Sequence, residues 1–253
     1  MSNAKQKAQS IAVRDVAKAA TGGETAGLRS RKKAKRREEI LDHARALFGE
    51  QGVDATTMGE IAEAAGVSTP TVFNYFGNKD GILIAIIAEG AQNARDNSKV
   101  LEPRTDVTFL ATLMTIFTDV SVETMHIASK RTWRYANAAA LRQPTTELGR
   151  SFKQVDDALL DIITVILSRY SLTLQNGSPG DARVVGHLFY DVWMQTFQDL
   201  IRDDDKTIEA HCAELKARLA PLCEMIFSPA FLATPTLAPS TPASRQSEAT
   251  RPD

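Results

Sequence analysis

The stretch TTMGEIAEAAGVSTPTVFNYFGNKDGIL, Thr56 to Leu83, constrains this chain more than any other. Thr57, with Glu60 three residues on, reads as a capping box. The helix it opens runs to about Ala65 and buries Ile61 and Ala64-Ala65. Gly66 permits a sharp turn, and Ser68 reads as the N-cap of a second short helix. Pro70 then falls in the first turn, where its missing N–H is no loss. Val67, Val72 and Phe76 anchor this helix, Thr69, Thr71 and Phe73 face outward, and Asn74 and Tyr75 lie near the flanking backbone. Upstream, Ile40, Leu41, Ala44, Leu47 and Phe48 repeat at the spacing of one buried helix face, and Gly52 ends that unit. Two short helices joined by a glycine turn, behind a longer supporting helix, make a helix-turn-helix. Its second helix is short because only the first turns need to enter a major groove about 12 Å wide.

Charge points to the same end of the chain. Met1 to Arg37 holds eleven Lys/Arg against Asp15 and Glu24, a net of +9, while the whole chain carries −1. Most of that excess lies in RSRKKAKRR, Arg29 to Arg37. A basic block beside an acidic body suits an anionic partner at one end only. Residues 1–30 read as a flexible basic arm. Residues 229–253 hold five of the ten prolines amid Ser, Thr and Ala, and read as a disordered tail.

The run Thr56 to Leu83 resembles the signature of the TetR-type (TetR/AcrR) transcriptional regulators. The capped second helix, the A-x-x-A-G-V-S turn, the Phe-x-Tyr-Phe end and the Asn-Lys that opens the next helix all match, and the likeness covers about 50 residues, Lys35 to Leu83. One departure is at Gly59-Glu60, where the family often has a larger or basic residue before the acidic or polar one; it bears on one phosphate contact and not on the fold. The resemblance implies that Tyr75, Lys79 and Thr57 meet phosphates, and that Thr69, Pro70, Thr71 and Phe73, beside Ser68 and Asn74, form the base-reading surface. Thr69 to Phe73 lacks Arg, Asn and Gln, so readout by thymine-methyl packing, single hydroxyl bonds and DNA shape is expected. Arg31, Lys32, Lys35 and Arg36 add phosphate or minor-groove contacts, and binding falls steeply with salt.

The fold class expected is all-α: a three-helix DNA-binding domain over 31–80 and a larger helical regulatory and dimerisation domain over 81–228. Asp80 to about Asn97 reads as a linking helix, with further helices at about 105–128, 130–141, 145–172, 180–202 and 206–227. By resemblance the last two pair with their copies in a homodimer that reads a palindromic operator. Val184, Leu188, Val192, Gln195 and Asp199 on one, and Leu215, Leu219, Leu222 and Ile226 on the other, are the candidate faces. An apolar ligand pocket is expected among Met114, Phe117, Met125, His126, Trp133, Arg134, Tyr135, Phe152, Trp193 and Phe197, where Arg134 or His126 would meet a polar group.

Other classes find little support. No stretch has the roughly 18 apolar residues of a membrane span, so no membrane partner is expected. Cys212 and Cys223 give no disulfide framework, and a cytoplasmic setting is the simplest reading. These cysteines lie near three helical turns apart, too far for one metal site with His211, and Asp203-Asp204-Asp205 lacks the ligand set of a calcium loop. No cofactor, metal or catalytic motif is expected. The alternative to a ligand-responsive repressor is an architectural or nucleoid-associated DNA binder, which would show many weak sites instead of a few strong palindromes.

Overall fold

The computed structural model describes residues 30–97 and 103–239 of the chain. All its regular elements there are helices: α1 (30–50), α2 (Met58–Ala64), α3 (Thr69–Phe76), α4 (Lys79–Asn97), α5 (Phe109–Ile127), α6 (Lys130–Arg142), α7 (Glu147–Leu167), α8 (Ala182–Arg202), α9 (Ile208–Ile226) and α10 (Pro229–Ala233). The chain divides into two compact units between Ile86 and Ile87, inside α4. That is six residues beyond the boundary expected at 80/81. Among the described residues, no helix is long and apolar enough to cross a membrane. The expected disorder of residues 1–29 lies outside the described residues, as do 240–253 of the tail.

The first unit is the head. Ile40, Leu41, Ala44 and Phe48 of α1 are buried, and Leu47 is half-buried at the edge of the same face. The α2 capping box forms as expected: the Thr57 hydroxyl accepts from the Glu60 N–H at 3.1 Å, and the Thr57 N–H donates to the Glu60 carboxylate at 2.7 Å. Its buried residues are Ile61 and Ala62; Ala64 is exposed and Ala65 is buried. Ala65 is buried as expected, while Ala62 takes the place expected of Ala64 beside Ile61. Gly66 and Gly77 take φ values of 62° and 75°, the left-handed region that glycine tolerates. Asn78 starts α4 by accepting the Gly81 N–H on its side-chain oxygen at 2.8 Å.

The second unit is the body, and its core is aromatic. Trp193 stacks on Phe117 and Phe197, and Trp133 meets Phe197 and Phe152 edge-on. A second cluster joins Phe109 to Tyr170, Phe227 and Phe231. Between helices α5, α8 and α9 runs a buried polar chain. The Trp193 indole donates to Ser121 Oγ at 2.9 Å, Ser121 meets His211 Nε2 at 2.9 Å, and His211 Nδ1 lies 3.2 Å from the Thr196 carbonyl. A neutral imidazole protonated at Nδ1 donates to the Thr196 carbonyl, and the Ser121 hydroxyl, which accepts from Trp193, has one proton to divide between His211 Nε2 and the Phe117 carbonyl at 2.7 Å.

Three expectations change here. The helix expected to reach residue 172 ends at Leu167, although Tyr170 and Leu172 are buried as an apolar helix face would be. They bury themselves in extended chain instead, with isolated bridges Tyr170–Leu237, Thr173–Pro179 and Leu174–Phe227. The tail expected to be disordered from 229 begins with α10, and residues up to 238 form a strap across the body. Phe231 and Pro235 are buried, Ser171 N–H donates to Thr236 O at 2.8 Å, and Ala238 N–H donates to Arg169 O at 2.8 Å. One phenylalanine and backbone pairing outweigh the composition of that segment. Finally, Leu215 and Leu219 of α9 are fully buried in their own chain and belong to its core, so they cannot face a partner. Val184 and Leu188 of α8 are 66% and 39% exposed.

Candidate nucleic-acid interface

Helix α3 is held from beneath. Val72 is fully buried, Val67 and Phe76 are half-buried, and Gly77 ends the helix. Ser68 occupies the N-cap position, but its hydroxyl does not cap: Ser68 Oγ pairs with Thr71 Oγ1 at 2.8 Å. Proline at N2 has already removed one N–H that a cap would serve, and the Ser68 carbonyl accepts from Thr71 N at 2.9 Å. The hydroxyls of Ser68 and Thr71 are therefore turned toward each other. Thr69 and Thr71 are half-buried, Pro70 and Asn74 are exposed, and Phe73 is 47% exposed. A phenylalanine left half in water beside a proline makes the outward face of α3 apolar at its centre.

The far end of α3 is tied to the basic face of α1. The Lys33 ammonium lies 5.9 Å from the centre of the Tyr75 ring, and the Tyr75 hydroxyl donates to the Lys33 carbonyl at 3.4 Å. The Arg37 guanidinium lies 5.1 Å over the Phe76 ring. Lys33 and Arg37 were not singled out in sequence, although they extend the Ile40–Ala44 face one turn upstream at helical spacing. Cation–π packing of this kind contributes about 0.5–1 kcal/mol at exposed sites. Arg31, Lys32, Lys35 and Arg36 are exposed on the same helix; Lys35 and Arg36 lie 3.9 and 3.6 Å from Glu39. Such surface pairs are worth about 0–1 kcal/mol and yield readily to a phosphate.

Two expected phosphate ligands are already engaged. Lys79 Nζ donates to Val53 O at 2.7 Å and Asp54 O at 3.0 Å, so its ammonium braces the loop between α1 and α2. The Thr57 hydroxyl and N–H both go to Glu60, whose carboxyl is held below its ordinary range first by the Thr57 backbone N–H. An ionised carboxylate there disfavours a phosphate at the start of α2. The Gly59-Glu60 departure marks this position in sequence.

Residues 40–86 match the family of bacterial regulatory proteins called the tetR family. The helix-turn-helix head of this chain is of that family's type. The HTH-type transcriptional regulator BetI of Rhizobium meliloti is 43% identical over 63 residues, 25% of this chain and 31% of that protein. The chain thus spans about a third of that relative's length. Among solved structures, a TetR-family regulator from Mesorhizobium loti superposes with a TM-score of 0.60 at 19% identity, covering 77% of this chain and 98% of that one. FadR of Bacillus subtilis, solved in complex with stearoyl-CoA, gives 0.52 at 22% identity, covering 72% and 96%. Both show the shared TetR fold, a helix-turn-helix head with a helical body.

The aromatic rings of the expected ligand-binding set pack against one another. Phe117, Trp133 and Trp193 are buried against one another and against Phe197, with Phe152 at their edge, so these rings fill the core. Met114 is half-buried and His126 is exposed. Arg134 donates to Ile201 O at 2.6 Å and to Asp204 at 2.8 Å, closing the C-terminus of α8. Open space is present in a cleft of about 120 Å³ lined by Arg104, Val107, Ala111, Thr112, Thr115, Ile116, Ile166 and Tyr170. Small side chains leave such space, and a search for aromatic stripes passes over them. Among the described residues, no group of His, Cys, Asp and Glu could hold a metal ion.

Proposed function

We propose that this chain is a homodimeric, sequence-specific transcriptional regulator, a repressor released from a palindromic operator when a small, mainly apolar ligand binds its body. The observation that carries this reading is the outward face of α3, where Pro70, Phe73 and Asn74 are exposed above a fully buried Val72. Thr69, Pro70, Thr71 and Phe73 read the bases; Tyr75 and the exposed cations Arg31, Lys32, Lys35 and Arg36 take phosphates. Lys79 reaches a phosphate only through the proton not given to Val53 and Asp54. Thr57, satisfied by Glu60, is left out of the contact set.

The dimer forms through α8 and α9. Val184 and Leu188 on α8, and the exposed Ala213, Ala217, Pro221 and Met225 on α9, give two apolar faces that water would otherwise cover.

Footprinting of the full chain on the DNA upstream of its own gene tests the reading. Two protected half-sites one helical turn or a multiple of it apart are expected. Tyr75→Phe weakens protection at every sequence equally, whereas Phe73→Ala relaxes the choice of sequence. Protection unchanged in both variants sinks these contacts.

A further inference from the structure

We propose that the cleft at the start of α5 binds a neutral, ring-sized aromatic molecule carrying one hydroxyl group. This rests on reading the body as the ligand-sensing unit. The cleft holds about 120 Å³, and an apolar cavity of about 150 Å³ takes benzene. Its space has a cause in the side chains. Ala111, Thr112 and Thr115 on α5 are too small to reach Ile166 and Tyr170 across the gap. The nearby large ring, Phe109, is committed elsewhere, edge-on to Tyr170 at 5.6 Å and to Phe227 at 5.1 Å.

The walls are fixed in advance. Tyr170 is almost fully buried; its hydroxyl accepts from the Arg104 N–H at 2.8 Å and lies 3.3 Å from the Arg104 carbonyl, to which it donates. The C-terminal strap holds the backbone on either side of Tyr170 through Ser171 and Arg169. A ligand entering here loses little to ordering the protein.

Charge and polarity select the ligand. Arg104 at the cleft is paired side-on with Asp106, Nε to Oδ1 at 3.0 Å and Nη2 to Oδ2 at 2.7 Å. The pair balances its own charge, so a free carboxylate gains little from Arg104 and meets Asp106. Nη1 takes no part in that pair and can donate to a neutral oxygen. Thr112, which lines the cleft, supplies the complementary group: its hydroxyl is buried without a hydrogen-bond partner. A ligand hydroxyl would accept from Arg104 and donate to Thr112, while its ring lies on Val107, Ile116 and Ile166.

Methyl-labelled full chain titrated with benzyl alcohol, toluene and sodium benzoate tests this. Benzyl alcohol is expected to shift the Ala111, Ile116 and Ile166 methyls with a dissociation constant on the order of 0.1–1 mM. Toluene binds several-fold more weakly, and benzoate at least tenfold more weakly. Thr112→Val brings benzyl alcohol to the level of toluene, and Ala111→Phe or Thr115→Phe, both at exposed positions, abolishes binding. Absent shifts, shifts that persist in both Phe variants, or benzoate binding as tightly as benzyl alcohol overturn the proposal. DNA binding measured on the same samples separates the two readings. A head that binds its operator while no probe shifts the methyls sinks the cleft alone; methyl shifts in a chain that binds no DNA sink the regulator alone.

Discussion

The head and the body use their aromatic side chains in opposite ways. In the body Phe117, Trp133, Trp193 and Phe197 lie inside and fill the space between helices. In the head the buried side chains are aliphatic apart from Phe48 and Thr56, while Phe73 is half exposed and Tyr75 and Phe76 sit under cations. A unit that must present a surface to a partner keeps its polarisable groups at that surface. A unit that must hold a shape puts them in the middle.

The sharpest way to break this comparison is Phe48→Ala. Phe48 is the one fully buried ring of the head, and its removal is expected to cost about 3–5 kcal/mol. Hydrogen exchange should then quicken in α1 to α3, and DNA affinity should collapse, while α5 to α9 keep their protection. Equal loss of protection in both units would mean that they do not hold their shapes independently.

Acidity probes the body. Burial raises the Asp156 carboxyl to about 6; the facing Tyr190 hydroxyl, itself buried and short of a hydrogen bond of ordinary geometry, offsets only part of that rise, while Asp157 adds to it and Lys153 opposes it. A carboxyl whose folded value lies above its unfolded 3.8 costs stability as pH rises through the window from 3.8 to about 6. The full cost is at most about 3 kcal/mol. Asp156→Asn should therefore be more stable than the parent at pH 7, with the difference vanishing near pH 4. His211 works the other way. Burial lowers its value from 6.5, so stability is lost as pH falls below 6.5 toward the folded value. Chemical denaturation of the parent and of Asp156→Asn across pH 4–8 separates the opposed slopes; a parent curve left unchanged by Asp156→Asn would remove the carboxylate from the account.

How much could be read in the sequence follows the same division. The head is governed by rules spanning three or four residues: the Thr57–Glu60 box, the left-handed Gly66 and Gly77, and Pro70 in a first turn. Those rules act locally, and so they show in a string of letters. What the string did not show in the head was pairing across elements, such as Lys79 reaching Val53 and Asp54 over 25 residues. In the body nearly everything decisive is of that kind. Whether Trp193 lines a cavity or fills one depends on Phe117, 76 positions away, and the cleft exists because Ala111 and Thr115 are small opposite Ile166. The strap shows the limit of composition. A Pro-rich stretch packs because Phe231 reaches Phe109 and Phe227 at 4.8 and 5.4 Å.

Ser121→Ala sharpens the body's side of the comparison. It takes away the hydroxyl that joins Trp193 to His211 and leaves the indole N–H and imidazole Nε2 buried without partners. The expected cost is about 1–3 kcal/mol, seen as a lower denaturant midpoint with an unchanged slope. A second change, Trp193→Phe, should then cost less in the Ser121→Ala background than alone, because there it also removes the orphaned indole N–H. Additive costs would mean that the chain of bonds does not act as a unit.

The smallest effect tests the head's exposed ring. If Phe73 packs on a thymine methyl, replacing that thymine by uracil removes one methyl from the interface and leaves every hydrogen bond in place. The loss expected is about 0.8 kcal/mol, roughly fourfold in Kd. The effect should be confined to one or two positions in each half-site and should disappear in Phe73→Ala. A charged recognition residue would behave differently, because its hydrogen bonds ignore the methyl and its variants change the salt dependence. Uracil that is neutral at every position would leave the exposed ring without a reading role, and shape or hydroxyl contacts from Thr69 would have to carry the specificity. Methyl-sensitive binding confined to Phe73 would explain why a half-exposed phenylalanine is kept on a helix whose other outward residues are small or polar.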